Sequence, residues 1–173
     1  GSRPQVEEQL ALRNIQPAFH KGWRITDKGA LECAKEAAGE LRLDIEAAFS
    51  QGLPNTPMAH SSMRVISGNF ITARPMGILE GVDLQHTGLV RKIDVTAIQM
   101  SLNSNAIVLL STIGFSPTGE AFNLTMEDVA TSTARAMKAD KLIFVTQIEG
   151  VFDKSGKLLE ELELDRAREI MQQ

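Results

Sequence analysis

Two short apolar runs constrain this chain most: AIVLL at 106–110 and LIFVT at 142–146, with a loop and a helix signal between them. A continuous apolar run of strand length fits a strand covered on both faces, as in a parallel sheet under helices. Between the runs, GFSPTGEAFN at 114–123 reads as a loop. Thr125 and Asp128 then have the spacing of a capping box, opening a helix that ends near Lys138. Strand, loop, helix and strand in that order over roughly forty residues make a βαβ unit, whose parallel strands require a right-handed crossover.

Elsewhere the apolar spacing marks further helices and a β region. Pro4 stands in a first helical turn, with Val6, Leu10 and Arg13 following at helical steps. The longest helix takes Thr26 as its N-cap and repeats Leu31, Ala34, Ala38, Leu41, Ile45 and Ala48 at three- and four-residue steps up to Gly52. Its alanine-rich interior permits close approach to a sheet or to another helix. Pro54 and Pro57 break the pattern. Met63–Ser67 and Phe70–Ala73, around Gly68, read as strand pieces, and Leu89–Ile93 as a further one. Turns at Gly77, Gly81 and Gly88 make 63–93 a region of hairpins. Asp94 caps a short helix through Val95, Ile98 and Leu102, which Asn103 to Asn105 end. Farther on, Gly150 and the turn Asp153-Lys154-Ser155-Gly156 separate short β pieces, and Asp165 caps a last helix.

With 173 residues the chain is long enough for one sizeable domain, or two lobes of one. Apolar residues are 43%, charged residues 23% and the formal net charge is −4, values of an ordinary soluble globular protein. An acidic balance without clustered Lys and Arg argues against a nucleic-acid partner. The single cysteine, Cys33, rules out an intrachain disulfide and is expected to be a buried packing residue in a cytoplasmic, reducing setting. No apolar stretch is long enough to span a bilayer and no basic-then-apolar leader opens the sequence, so no membrane association is expected.

Several chemistries are excluded by residue type. Gly114 to Gly119 has the glycine spacing of a phosphate-binding loop, but Glu120 and Ala121 stand where Lys and Ser or Thr are required. Pro117 after Ser116 removes the N–H that a nucleophile elbow needs. His20, His60 and His86 have no ligand-spaced companions, so no metal is expected. Glu127 and Asp128 in a first helical turn suit the helix dipole as well as they suit a site. Arg24, in WRITD beside a helix start, either anchors a loop or pairs with a carboxylate ligand.

Read together, GSRPQV, GWRITD, VISGNFITARP, GVDLQHTGLVRKID and GFSPTGEAFNLTMEDVATSTARAMKADKLIFVTQIEGV resemble the amino-acid kinase family, and within it the N-acetylglutamate synthases. The segments run in the family's order over about the whole chain. The resemblance implies a three-layer α/β sandwich with a mainly parallel central sheet, helices on both faces and a β-hairpin excursion at about 63–93. Residues 1–112 would be an N-terminal lobe lacking its first strands and 113–173 the start of a C-terminal lobe, with the acetyltransferase domain absent.

The same resemblance implies the site residues. Gly1, Ser2 and Arg3 match a glycine triplet whose bare backbone approaches phosphate in the kinases, and two side chains now stand there. Asn123 matches an Asn of the kinases, and Glu127 replaces their catalytic Asp four residues later. Arg24 matches the Arg that binds the α-carboxylate of the acylated amino acid, so that Arg24 and Asn123 outline a vestigial ligand pocket. Lys157 is a contact for arginine by analogy. A regulatory module is therefore expected, binding L-arginine, building a homo-oligomer and carrying no catalytic residue or cofactor. Acetyl-CoA would be a substrate of the parent protein only. The alternative is an active acylamino-acid kinase using ATP.

Overall fold

The computed structural model describes residues 1–51, 63–153 and 156–171. The chain divides into two compact units, Gly1–Leu142 and Ile143–Gln173. In the first, Pro4 opens α1 (Arg3–Leu12), which buries Val6 and Leu10. β1 (Ala18–His20) and β2 (Trp23–Ile25) form a hairpin. Lys21 and Gly22 between them are both at positive φ, the left-handed pair that matches strand twist. α2 (Lys28–Ser50) follows and lays Ala30, Cys33, Ala34 and Ala37 against Val6 and Leu10. Its small side chains let the two helices approach closely.

β3 (Arg64–Ser67) is followed by β4 (Ile71–Pro75), the hairpin β5 (Ile78–Leu79) and β6 (Val82–Asp83), and β7 (Gly88–Ile93). α3 (Val95–Asn103) starts where Asp94 Oδ1 accepts from the Ala97 N–H at 3.0 Å. Next come β8 (Ala106–Leu109), β9 (Ile113–Phe115), β10 (Ala121–Asn123) and α4 (Met126–Met137). Thr125 caps α4 by accepting from the Asp128 N–H at 3.2 Å, and Lys138, in the left-handed conformation, ends it. One sheet runs β10-β9-β4-β7, and β3 pairs with β8 in parallel, Arg64 opposite Ala106 through Ser67 opposite Leu109.

Side chains alternate across β10. Ala121 packs with the α1–α2 core, whereas Phe122 joins Phe70, Ile71, Ala73, Ile93, Ile98 and Val129 in the core beside α3 and α4. The four-stranded sheet therefore lies between two helical layers, the α/β architecture the sequence implies. Between the named strands among the described residues, parallel pairing is confined to β3–β8 and to one β4–β9 register point, Thr72 opposite Phe115, so the sheets are mixed rather than mainly parallel.

Other local expectations change. The N-cap of α2 is Asp27, whose Oδ1 accepts from the Ala30 N–H at 2.7 Å; Thr26, one residue earlier, is fully buried and bonded elsewhere. Residues 63–93 are not all hairpins, because β3 leaves that region to pair with β8. Gly88 is no turn but the first residue of β7, where an added Cβ would stand 2.6 Å from the Phe122 Cβ. The loop at 114–123 is framed by the antiparallel pair β9–β10.

The run Leu142–Thr146 forms no strand. A strand needs a hydrogen-bonded neighbour and a covering layer, and among the described residues nothing pairs with this run, whose Val145 is 91% exposed. In the second unit, Phe152 bridges Leu158 and α5 (Leu164–Met171) closes the described chain. Asp165 lies inside the first turn of α5 instead of capping it, and accepts from Arg168 at 3.0 Å. Lys154 and Ser155 of the expected turn, and Pro54, Pro57 and His60, lie outside the described residues.

Candidate functional site

Three stretches far apart in sequence cross where β2 ends, β7 begins and β10 ends. The backbone joins them through parallel bridges, Thr26 to Gln85 and Thr87 to Asn123. The His86 N–H donates to the Thr26 carbonyl and the Asn123 N–H to the His86 carbonyl, both at 2.9 Å.

Side chains complete the crossing. Thr87 Oγ1 donates to the Arg24 carbonyl at 2.5 Å, accepts from the Thr26 N–H at 3.2 Å and stands 2.9 Å from Thr26 Oγ1. Asn123 Nδ2 donates to Thr26 Oγ1 at 3.2 Å. Arg24 and Asn123, the two residues of the expected ligand pocket, are thus joined through two threonines buried to 97% or more. Buried hydroxyls must be bonded, and here each bond also fixes a backbone segment of the site.

The Arg24 side chain leaves this crossing toward α1. Its Nη2 donates to Glu7 Oε1 at 3.2 Å, and its guanidinium carbon lies 4.8 Å from the centre of the Phe19 ring. Arg3 reaches the same Glu7 oxygen at 3.1 Å and the same ring at 5.4 Å. The Arg24 side chain is only 10% exposed, and its Nη1 is buried with no acceptor among the described residues. Burial pushes the Arg24 pKa down; the Glu7 charge pulls it back up and the Arg3 charge lowers it again. The guanidinium remains a cation.

At the start of α1, Ser2 is buried and its hydroxyl meets the Thr112 hydroxyl at 3.0 Å. Beside it opens a cavity of about 440 Å³ lined by Ser2, Arg42, Ser67, Asn69, Ser111 and Thr112 among others. It lies past the carboxyl ends of the parallel strands β3 and β8 and at the N-terminus of α1, the two places where α/β proteins receive anions. Ser2 lines this cavity, while the Arg3 side chain bonds to Glu7. Neither Arg24 nor Asn123 lines the cavity.

Glu127 does not join this cluster. Glu127 is exposed in the first turn of α4, and its carboxylate has no partner among the described residues. Its neighbour Asp128 is structural: Oδ2 accepts from the Val90 N–H at 2.7 Å and ties α4 to β7. Lys157 belongs to the second unit, where its N–H donates to Asp153 Oδ1 at 3.0 Å. His86 Nδ1 lies 3.5 Å from Glu120 Oε1. Among the described residues no group of three or more His, Cys, Asp or Glu is arranged to hold a metal ion.

Sequence reading passed over Glu7, Phe19 and Thr87. Glu7 carried a usable signal, its position four residues after Arg3 on one helix face. Thr87 and Phe19 carried none, since their partners are set by tertiary pairing.

Known proteins share this sequence and fold. An amino-acid acetyltransferase of Ralstonia nicotianae is 66% identical over 173 residues, which are 100% of this chain and 38% of the relative. Another, of Pseudomonas fluorescens, is 52% identical over 162 residues, 94% of this chain and 38% of its own length. The N-acetylglutamate synthase of Neisseria gonorrhoeae, solved as a complex with coenzyme A and L-arginine, matches with a TM-score of 0.86 at 32% identity, over 99% of this chain and 40% of that one. The chain thus spans well under half the length of these relatives. The description of the amino acid kinase family fits residues 1–173 throughout, and the chain belongs to that family.

Proposed function

We propose that this chain is the kinase-like regulatory domain of an N-acetylglutamate synthase, binding L-arginine and helping to assemble a cytoplasmic homo-oligomer. Acetyl transfer from acetyl-CoA to glutamate belongs, in this reading, to a part of the parent protein outside these 173 residues. The observation that carries it is the Ser2–Thr112 hydroxyl pair at 3.0 Å, which sets a side chain where a phosphate-binding loop needs bare backbone. The exposed Glu127 supports it, because a kinase needs a positioned carboxylate there. The relatives named amino-acid acetyltransferase, and the related synthase solved with L-arginine, point the same way. Exposed Leu12 on α1 and Leu43 on α2 supply apolar surface of the kind that subunit contacts cover.

The test uses the full-length protein. L-Arginine should bind in calorimetry and alter the rate at which thiol is released from acetyl-CoA in the presence of glutamate. ATP with N-acetyl-L-glutamate should release no ADP. Absence of both arginine binding and any rate response would overturn the regulatory reading, and steady ADP release would restore the acylamino-acid kinase.

A further inference from the structure

We propose that the β5–β6 hairpin is a flap, latched to the β1–β2 hairpin by the Lys21–Glu80 ion pair and free to open from the buried seam at Thr26 and Thr87 without unfolding that seam.

The two hairpins are built alike. Each turns through two residues at positive φ, Lys21 at 50° and Gly22 at 81° in the first, Glu80 at 46° and Gly81 at 84° in the second. Such turns match the twist of the strands they join. Both hairpins also run into the same seam, where Thr26, just after β2, bridges Gln85, just after β6, and the His86 N–H donates to the Thr26 carbonyl at 2.9 Å. Thr26 and Leu84 are fully buried there. At the far end the two turns meet again, with Lys21 Nζ 3.2 Å from Glu80 Oε2.

Between seam and tip, little else holds β5–β6. Its strands are two residues each and pair only with one another, and an isolated two-stranded hairpin is marginal in water. No residue from Ile78 to Asp83 is buried, and none belongs to or packs against either core. Among the described residues, Glu80 makes the hairpin's one ion pair. The carboxylate of Asp83 stays at the base, accepting from the Gln85 N–H at 2.9 Å. A segment with so few apolar contacts opens at low local cost. The β1–β2 hairpin is the firmer side, because Arg24 also reaches Glu7 at 3.2 Å. The latching side chains are 60% and 61% exposed, so salt screens their attraction and ionic strength sets how often the flap opens.

Amide hydrogen exchange on the full-length protein reads the flap, with rates taken relative to the unfolded chain. Glu80→Gln and Lys21→Gln should each speed exchange at 78–83 about two- to fivefold at low salt, the range of an exposed ion pair. Raising the salt to about 0.5 M should bring wild type to the same rate and leave both variants nearly unchanged. The reversed pair, Lys21→Glu with Glu80→Lys, should restore protection to within about twofold of wild type. The amides of Thr26, His86 and Thr87 should keep their wild-type rates throughout. Exchange at 78–83 that ignores both substitutions and salt overturns the proposal, as does failure of the reversed pair to restore protection. Equal acceleration at the three seam amides overturns it too, because the hairpin then opens only with the seam. Unfolded-chain rates at 78–83 in wild type at low salt also overturn it, because no latched state then exists.

Discussion

Replacing Thr87 by Val deletes one hydroxyl with little change of shape, and the structure sets what is lost. The hydroxyl donates to the Arg24 carbonyl at 2.5 Å, accepts from the Thr26 N–H at 3.2 Å and contacts Thr26 Oγ1 at 2.9 Å, all at a residue 3% exposed. Part of the loss is cushioned: the Thr26 N–H keeps a long bond to the Leu84 carbonyl at 3.4 Å, and Thr26 Oγ1 keeps Asn123 Nδ2. A net hydrogen bond contributes about 0.5–1.5 kcal/mol and a stranded buried partner costs about 1–3 kcal/mol, so a loss of about 2–3 kcal/mol is expected. At a slope of about 1–3 kcal/mol per molar urea, the midpoint should fall by roughly 1 M or more with the slope unchanged. Trp23, the single tryptophan, lies in β2 beside Arg24 and reports the transition. Thr26→Val and the double variant complete a cycle whose coupling should reach about 1 kcal/mol. A loss under about 0.5 kcal/mol, or full additivity, would refute the view that these hydroxyls act as one network.

Two further substitutions probe the frame around the site. Gly88→Ala puts a methyl 2.6 Å from the Phe122 Cβ and 3.1 Å from the Arg74 carbonyl, and should cost about 1–3 kcal/mol by overpacking, read from the urea midpoint. Asp27→Ala removes the bond to the Ala30 N–H and should cost about 1 kcal/mol, with fraying of the start of α2 visible in amide exchange; Thr26 is already committed to Thr87 and offers no substitute cap.

The helices were legible because their information is local. Asp94 and Thr125 act on residues three positions away and Pro4 on its own helical turn, and the structure keeps all three where the spacing puts them. Thr26 shows where local reading stops. Thr26 and Asp27 are both good caps, and what separates them is Thr87, 61 residues later, which claims the Thr26 hydroxyl. β3 is a similar case: its hairpin-like surroundings suggested an antiparallel partner, yet it pairs in parallel with a strand beyond α3. The run at 142–146 has strand composition, but composition cannot supply the neighbour a strand requires. At the site, Arg24 and Asn123 were visible through resemblance. Their junction through Thr26 and Thr87 was not, because the contact between the two threonines is set by tertiary pairing 61 residues apart.

The junction also bears on how this chain folds. Asn123 reaches Thr26 across 97 residues and Ser2 reaches Thr112 across 110. Such closures carry a large chain-entropy cost that is recovered only when both ends are already ordered. The hairpin β1–β2 and the helices, built from near neighbours, can form earlier, and the crossing at Thr87 closes on them late. Changes there should therefore act mainly by speeding escape from the native state and only slightly by slowing entry to it. The junction's persistence is then a matter of lifetime as much as of equilibrium.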